Sequence, residues 1–394
     1  AIHLDAFAQR IAEFHHSIAS AGADTQFGEP ATVWQPVAEN FRQIREHAPA
    51  GFESALLDAL EVWSRNTWQS LSAQLRVRKQ DGFIRECHGD LHLRNMAWID
   101  AQPVAFDCIE FNPALRWIDV ISEVAFLVMD LHDRQQGEFA NRFLNAYLEH
   151  TGDYAGVAML RFYLVYRALV RAKVDALRLS QANVSAQERQ SETREFYDYL
   201  QLANRFVQTS EPLIMLTHGL SASGKTSVTQ QLLEVSGAIR IRSDVERKRL
   251  AGMAAGERGT AAIDSGLYAR DMSQRTYAHL LDLAARIVDA GYSVIVDAAF
   301  LQREQREPFY KLAVEKALPC VVLDITARPA TLRKRIVARS GDASDANLAV
   351  LEHQLATTRP LGDDELARCI HIDTEQPVDT VQICAQLQGF AGKV

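Results

Sequence analysis

Apolar residues recur at three- and four-residue spacings through the first half of the chain. The spacing is typical of amphipathic helices and is clearest in "FESALLDALEVWSRNTWQSLSAQL" and "FANRFLNAYLEH". One interruption, "NMAWID" and "PVAFDCI" around the turn "DAQP", predicts a β-hairpin whose second strand delivers Asp107 to its end. The first half is therefore predicted to be mostly α-helical, with a single short β-hairpin.

After Pro212 the pattern changes to short apolar strands that alternate with amphipathic helices. The strand-like stretches are "LIMLTH", "AIRIRS", "YSVIVDAA" and "CVVLDITA", and helical segments such as "SVTQQLLEV" separate them. This alternation predicts a parallel sheet covered by helices on both faces. Between the two patterns, "QTSEP" ends a predicted helix that is rich in polar and charged residues. We therefore predict two domains, 1–207 and 213–394, joined by a linker at 208–212.

Composition narrows the class of protein. The chain of 394 residues carries a net charge of −8, so no broad positive field is available to hold nucleic acid nonspecifically. Its five cysteines are scattered, without a Cys-x-x-Cys spacing, which favours a reducing cytoplasm. No apolar run is long enough to span a membrane, and the N-terminus lacks a signal-peptide pattern. We expect a cytoplasmic protein that acts on a small-molecule or nucleotide-like partner; the sequence does not indicate its oligomeric state.

The strongest motif is "GLSASGKT", which fits the phosphate-loop pattern G-x-x-x-x-G-K-[ST] in full. A predicted strand precedes it and a predicted helix follows, so its backbone N–H groups would face a phosphate at a helix N-terminus. Lys225 would reach the β- and γ-phosphates of ATP, and the Thr226 hydroxyl would ligate Mg²⁺. The predicted nucleotide-binding residues are Gly219, Leu220, Ser221, Ala222, Ser223, Gly224, Lys225 and Thr226.

Two carboxylates follow predicted strands of the second domain. Asp244 closes "IRIRSD" and Asp297 ends "YSVIVD", at the sheet edge where ligands of open α/β sheets gather. Asp244 could accept or orient the proton of an acceptor hydroxyl, and Asp297 could serve as the second Mg²⁺ carboxylate. For each residue a simple capping role at a helix start or strand end stays open.

Basic residues cluster in two places. Arg335 and Arg339 lie four apart in "RPATLRKRIVARSG", so one helix face could close over the triphosphate and neutralise the transferring group. A solvated basic face is the alternative. The run Arg247–Arg249 could bind an anionic acceptor, or it could be an exposed helical face.

The second half resembles the small P-loop kinases, a group that includes gluconate kinase, polynucleotide 5′-kinase, chloramphenicol phosphotransferase and zeta-type toxins. The resemblance rests on "GLSASGKT", "RSD", "VIVDAAF" and the arginine-rich helix. It implies ATP-dependent phosphorylation of a hydroxyl, with Asp244 as the acceptor-side carboxylate and Lys225, Arg335 and Arg339 stabilising the transferring phosphoryl group. It does not identify the acceptor, because these kinases differ in their substrate loops.

The first half carries "HGDLHLRN", in which Asp90 and Asn95 have the D-x-x-x-x-N spacing of a kinase catalytic loop, and Asp107 follows the hairpin. The set resembles the aminoglycoside phosphotransferase family, and Asp119 matches that family's structural Asp. The resemblance implies that Asp90 orients the acceptor proton while Asn95 and Asp107 hold Mg²⁺. His88 and His92 with Asp90 could alternatively be metal ligands.

Kinases of that family hold ATP with an N-terminal β-lobe that supplies a lysine and a glycine-rich loop. The only lysine before His88 is Lys79, and the opening segment already has a helical pattern. We interpret residues 1–207 as a C-lobe without its nucleotide lobe. Across nearly its whole length the chain resembles a bacterial fusion of an aminoglycoside phosphotransferase-like domain with a P-loop ATP-binding domain.

Three functional hypotheses follow. The leading one is an ATP- and Mg²⁺-dependent kinase that phosphorylates a small or anionic acceptor through its second domain. The second is a nucleotide-gated regulatory module with a degenerate kinase-like domain. The third, a polynucleotide 5′-kinase or zeta-toxin-like enzyme, requires a local basic groove around Arg247–Arg249.

Overall fold

The computed structural model describes residues 2–100, 102–253, 270–338 and 347–391. The chain divides into two compact units. The first unit comprises Ala1–Tyr147 and Gly156–Thr209, and the second comprises Leu148–Ala155 and Ser210–Val394. The short segment 148–155 thus belongs to the second unit although it lies within the first half of the sequence.

The first unit is mostly helical, as the apolar spacing predicts. Its helices and strands are α1 (Ile2–Ser17), α2 (Pro30–His47), α3 (Ala55–Gln80), β1 (Ile84–Glu86), β2 (Met96–Ile99), β3 (Gln102–Ala105), β4 (Trp117–Asp119), α4 (Val120–Asp133), α5 (Gly137–Thr151, which passes into the second unit), α6 (Val157–Leu179) and α7 (Ala186–Val207). Single 3₁₀ turns lie at Leu93–Asn95, Pro113–Leu115 and Tyr154–Gly156.

Helices α4 and α6 form the core of the first unit. Every residue of α4 from Val120 to Leu131 is buried, which fits a helix that is apolar on nearly all sides. Helix α6 packs against α2, α4 and α7. The predicted hairpin is confirmed, because β2 and β3 pair antiparallel with Met96 opposite Ala105. A second antiparallel pair, β1 with β4, was not predicted; each strand has only three residues, too few to show an alternating pattern.

The second unit is an α/β domain. Its elements are β5 (Ile214–His218), α8 (Lys225–Ser236), β6 (Ile239–Arg242), α9 (Ser243–Leu250), α10 (Arg270–Asp289), β7 (Val294–Asp297), α11 (Arg303–Glu315), β8 (Cys320–Thr326), α12 (Pro329–Ala338), α13 (Leu348–Thr357), α14 (Asp363–Leu366), β9 (Cys369–Asp373) and α15 (Thr380–Ala391).

Five parallel strands of the second unit form one sheet in the order β6-β7-β5-β8-β9. The predicted parallel sheet is confirmed, and β9 is an additional edge strand. Strands β7 and β8 flank β5 on opposite sides, so the chain connections diverge at the carboxyl end of β5. Such a point opens a crevice where α/β sheets bind ligands. The loop that follows β5 begins there.

Among the helices in the described ranges, none is both long enough and apolar enough to cross a membrane.

Candidate active site

The loop Gly219–Thr226, called the phosphate loop below, joins β5 to the N-terminus of α8. Gly219 has φ +153°, and a Cβ there would lie 2.3 Å from the carbonyl oxygen of Ile325. Gly224 has φ +98° and occupies the N-cap position of α8, where no side chain caps the helix. The N-terminus of α8, which is the positive end of its helix dipole, therefore lies at the cavity in front of the loop, as phosphate binding requires.

Lys225 and Thr226 lie in the first turn of α8, as the motif predicts. The Lys225 Nζ donates hydrogen bonds to the carbonyl oxygens of Gly219 (2.9 Å) and Leu220 (2.8 Å), so its ammonium group is held over the loop. The Thr226 Oγ1 donates to the Asp297 Oδ2 at 3.0 Å. The structure thus brings the predicted phosphate lysine and the predicted Mg²⁺ hydroxyl into one site.

Asp297 ends β7 and is 5% exposed. Its Oδ2 also accepts a hydrogen bond from the Thr229 hydroxyl at 3.3 Å. Hydroxyl and carboxylate oxygens 3.0 Å apart at a phosphate-binding loop are the hard oxygen donors that Mg²⁺ prefers. Asp297 and Thr226 therefore fit a Mg²⁺ site, and Asp297 does more than end a strand.

Asp244 lies in the first turn of α9, beside the same cavity. The N-cap of α9 is Arg242, and neither Ser243 nor Asp244 occupies that position. Arg247 donates to the Asp244 Oδ1 at 2.9 Å, which fixes the orientation of the carboxylate. Asp244 is therefore not the N-cap of α9. Its side chain lines the cavity that the phosphate loop borders.

Arg335 contacts the phosphate loop and lines the cavity in front of it. Its Nη1 donates to the carbonyl oxygens of Ala222 (3.3 Å) and Ser223 (3.4 Å) and to the Thr374 hydroxyl (2.8 Å). The solvated-face alternative does not hold for this residue. Arg339, its predicted partner, lies outside the described residues, so the pairing of the two arginines stays a prediction.

The cavity in front of the phosphate loop has a volume of about 500 Å³. Uncharged hydrogen-bonding side chains, together with Leu301, line part of its wall. Burial raises the pKa of the Tyr277 hydroxyl, which keeps this group a neutral donor. The uncharged polar residues of this wall are Ser243, Ser273, Tyr277, Gln302 and Gln305.

The basic run Arg247–Arg249 does not form an exposed groove. Arg247 is 8% exposed and bonded to Asp244, and Lys248 is 2% exposed. Arg249 pairs with the buried carboxylate of Glu246. The charges of Arg247 and Arg249 are therefore compensated by carboxylates of the same helix, contrary to what the polynucleotide-kinase hypothesis requires.

Sequence reasoning missed two residues at the phosphate loop or its cavity, Gln354 and Arg242, and one residue that binds Arg242, Glu149. Gln354 of α13 accepts a hydrogen bond from the backbone N–H of Ser221 at 2.8 Å. Arg242 lines the cavity, and Glu149 binds it at 2.9 Å. Arg242 follows alternate apolar residues at the end of "IRIR" and could have been found as a cavity-facing strand end. Gln354 and Glu149 are far from the motif in sequence and carry no local signal.

In the first unit, Asp90 and Asn95 meet as the kinase-loop spacing predicts. The Asn95 Nδ2 donates to the Asp90 Oδ2 and to its carbonyl oxygen, each at 3.0 Å. Asp107 follows β3 with φ +63°, and the preceding Phe106 donates its N–H to the Asn95 carbonyl at 3.0 Å. The strand end that carries Asp107 is thus bonded to the loop that carries the other two residues.

Buried side chains bind the backbone of the loop that carries Asp90 and Asn95. Gly89 has φ +86°, its N–H donates to the Glu123 Oε1 at 2.8 Å, and its carbonyl accepts from the Arg167 Nη1 at 3.1 Å. Burial would raise the pKa of Glu123, but His15 at 2.7 Å and the Gly89 N–H lower it below its usual value. Arg167 belongs to the arginine-bearing helix α6, which therefore supports the loop rather than only packing beside it.

The alternative metal site at His88, Asp90 and His92 is not assembled. The His88 Nε2 is bonded to the Phe106 carbonyl at 2.8 Å, and the His92 Nε2 is 3.3 Å from the Asp90 carboxylate. Within the described part of the chain, one group of side chains has ligand atoms close enough to share an ion: the buried residues His15, Cys87 and Glu123.

Asp119 has a structural role. Its carboxylate accepts two hydrogen bonds from Arg78, at 2.6 and 2.8 Å, and caps the N-terminus of α4.

Comparison with known proteins gives a family for each half of the chain. Residues 2–160 match the phosphotransferase enzyme family, and residues 214–361 match an AAA domain family. The predicted combination of an aminoglycoside phosphotransferase-like domain with a P-loop domain is therefore confirmed. The chain is also 31% identical over 350 residues to the uncharacterized protein Rv2004c of Mycobacterium tuberculosis, a match that covers 88% of this chain and 68% of the relative.

Two solved structures are similar to part of the chain. A sugar kinase from Janibacter sp. HTCC2649 covers 46% of this chain and 95% of its own, with 21% identity and a TM-score of 0.33. A gluconokinase from Sinorhizobium meliloti 1021 covers 47% of this chain and 94% of its own, with 20% identity and a TM-score of 0.32.

Proposed function

We infer the function from the premise that this chain belongs to the protein family of its mycobacterial relative, with a phosphotransferase-family domain followed by an AAA domain. We propose that the second unit is an ATP- and Mg²⁺-dependent phosphotransferase. It transfers the γ-phosphoryl group of ATP to a hydroxyl of a small acceptor. The observation that carries the proposal is that the phosphate loop, the Thr226–Asp297 pair and the Asp244 carboxylate border one cavity.

The phosphate loop would hold the triphosphate. Its backbone N–H groups and the N-terminus of α8 favour the negative charge, and Lys225 would exchange its bonds to loop carbonyls for bonds to the β- and γ-phosphates. Arg335, which is bonded to the carbonyl oxygens of Ala222 and Ser223 and lines the cavity, would hold the loop in shape. When bound at Thr226 and Asp297, Mg²⁺ would neutralise charge on the phosphates.

Asp244 is the proposed acceptor-side carboxylate. It lines the same cavity as the phosphate loop, and Arg247 holds it in one orientation. A carboxylate in this position can orient an acceptor hydroxyl and take its proton as the oxygen attacks the γ-phosphorus. Such positioning is most of what a phosphoryl-transfer enzyme has to supply.

The chemistry of the cavity favours a small acceptor over a polynucleotide. The cavity wall includes hydroxyl and amide groups, and the cations of α9 are already paired or buried. A polynucleotide would need unpaired basic groups along its backbone. The cavity of about 500 Å³ also contains charged side chains for the phosphates, and its neutral donors and acceptors suit a compact acceptor that carries hydroxyl groups.

A nucleotide-gated binding module is the second candidate. It is favoured by the Gln354 side chain, which occupies the Ser221 N–H of the phosphate loop and could report nucleotide binding to α13. Such a module would bind ATP and hydrolyse it slowly without forming a phosphorylated acceptor. Product identification separates the two functions.

The nucleotide site is tested by substituting Lys225→Ala. We expect a loss of ATP affinity of roughly 100-fold, since the ammonium group would contribute charged hydrogen bonds to two phosphates. Calorimetric titration with ATP and Mg²⁺ measures the loss. Lys311→Ala, which removes an exposed lysine from α11 of the same unit, should leave the affinity unchanged. Full ATP affinity in Lys225→Ala would refute the proposed site.

A further inference from the structure

A segment far from the phosphate loop in sequence contributes to the second unit. Residues 148–155 comprise the end of α5 and the turn that follows. Tyr154, 2% exposed, donates its hydroxyl to the carbonyl of Arg240 at 3.5 Å, and Arg249 donates to the Glu149 carbonyl at 2.5 Å. Gly152 has φ +74°, and a Cβ there would lie 2.8 Å from the Arg249 side chain. The segment is therefore fitted closely to β6 and α9.

The Glu149 carboxylate binds two arginines of β6. Its Oε1 accepts from the Arg242 Nη1 at 2.9 Å, and its Oε2 accepts from the Arg240 Nη2 at 3.3 Å. Burial would raise the pKa of Glu149, but the charges of Arg242 and Arg240 lower it below its usual value. One carboxylate thus compensates two guanidinium groups in a poorly solvated place.

Arg242 is also close to the proposed Mg²⁺ carboxylate. Its Nε is 3.9 Å from the Asp297 Oδ2, the oxygen that accepts from Thr226. A guanidinium that closed this distance would form a charged hydrogen bond to Asp297 and compete with a divalent cation for it. Glu149, bound to the other end of the guanidinium, draws it the opposite way.

We propose that Glu149 is a positioning residue of the phosphate site: it holds Arg242 off Asp297 and so leaves that carboxylate for Mg²⁺. Arg242 is then oriented with its charge toward the cavity, where the phosphates of ATP would lie. This inference rests on the proposed function, because it takes Asp297 and Thr226 as the Mg²⁺ ligands.

The test is the coupling between Mg²⁺ and nucleotide, measured on the full chain. The affinity for a fluorescent ADP derivative is titrated in EDTA and in saturating Mg²⁺, and the ratio gives the tightening due to the cation. In Glu149→Gln we expect this ratio to fall roughly 10-fold, because a released Arg242 competes for Asp297. The affinity in EDTA should stay the same or rise, since the freed guanidinium also attracts phosphate.

Three controls make the result specific. Glu138→Gln, an exposed glutamate at the start of the same helix, should leave both affinities unchanged. The double substitution Glu149→Gln with Arg242→Gln should restore the Mg²⁺ ratio, because the competing cation is gone. If Glu149→Gln does not fold, Arg242→Gln alone should keep or increase the ratio, and a fall in that variant would contradict the proposal.

The proposal would be overturned by a Mg²⁺ ratio that is unchanged in a folded Glu149→Gln variant. Equal losses of affinity in EDTA and in Mg²⁺ would also overturn it, because they indicate a packing role only. Wild-type protein that binds no nucleotide would instead refute the proposed nucleotide site itself. The two failures are therefore distinguishable.

Discussion

At the scale of single residues, the phosphate loop depends on backbone positions that accept few side chains. Gly219 lies against the carbonyl of Ile325, and Gly224 turns the chain into α8 with a left-handed backbone. A side chain at Gly219 would collide with a neighbouring strand, and one at Gly224 would strain the turn. In the proposed function, side chains supply the chemistry: Lys225 for phosphate, Thr226 with Asp297 for Mg²⁺ and Asp244 for the acceptor.

Asp244 gives the sharpest prediction for a single residue. Asp244→Asn keeps the size of the side chain but removes its ability to take a proton, so we expect turnover to fall by about 10²- to 10⁴-fold. Nucleotide affinity should change little, because Asp244 is not part of the phosphate loop. Steady-state kinetics and ATP titration of the same preparation measure both quantities. Asp282→Asn, at an exposed ion pair of α10, serves as the matched control, and normal turnover in Asp244→Asn would remove it from the mechanism.

At the scale of elements, a buried ion pair joins α11 to α14. The Glu365 carboxylate, 1% exposed, accepts from the Arg306 Nε at 2.6 Å and Nη2 at 2.8 Å, and also from the Tyr310 hydroxyl at 2.8 Å. Burial alone would raise the pKa of Glu365, but the bonds from Arg306 and its neighbours lower it to about 2. The chain that leads into β9 is held by these bonds.

This pair predicts an acid-dependent contribution to stability. Because the pKa of Glu365 is lowered from 4.5 to about 2 on folding, its contribution is present above pH 4.5 and is lost as the pH falls toward 2. Glu365→Gln leaves the Arg306 charge buried, so we expect a loss of about 3–5 kcal/mol in the free energy of unfolding at neutral pH. Urea denaturation across this pH range measures it.

The exposed ion pair Arg303–Asp364, which lies next to the buried pair Arg306–Glu365, provides the control for this prediction. Its members are about half exposed, so Asp364→Asn should have little effect on stability at any pH. The difference in the free energy of unfolding between the wild type and Glu365→Gln should become smaller as the pH falls. A difference that stays constant from pH 7 to pH 3 would contradict the assigned pKa.

The elements that sequence could predict are those with long or repeated patterns. The helices of the first unit, the hairpin before Asp107 and the strands around "GLSASGKT" follow from periodicity and turn residues. Strand β9, "CIHID", was missed because only two of its five residues are buried and it pairs with one neighbour. The roles of Gln354 and Glu149 could not be predicted, since they arise from contacts between segments distant in sequence.

At the scale of the whole molecule, a phosphotransferase-family domain and an AAA domain occur in one chain. The first unit brings Asp90 and Asn95 together and bonds the strand end of Asp107 to their loop. The second unit has a complete phosphate loop. We propose to assign phosphate transfer to the second unit, because the phosphate loop, the Thr226–Asp297 pair and Asp244 border one cavity there.

This assignment is tested most directly by identifying the product. The full chain is incubated with ATP, Mg²⁺ and a small-molecule extract, and phosphorylated compounds are identified by mass spectrometry. The account predicts a new phosphorylated hydroxyl compound with the wild type and none with Lys225→Ala. Consumption of ATP without any phosphorylated product, or the same product from Lys225→Ala, would contradict it.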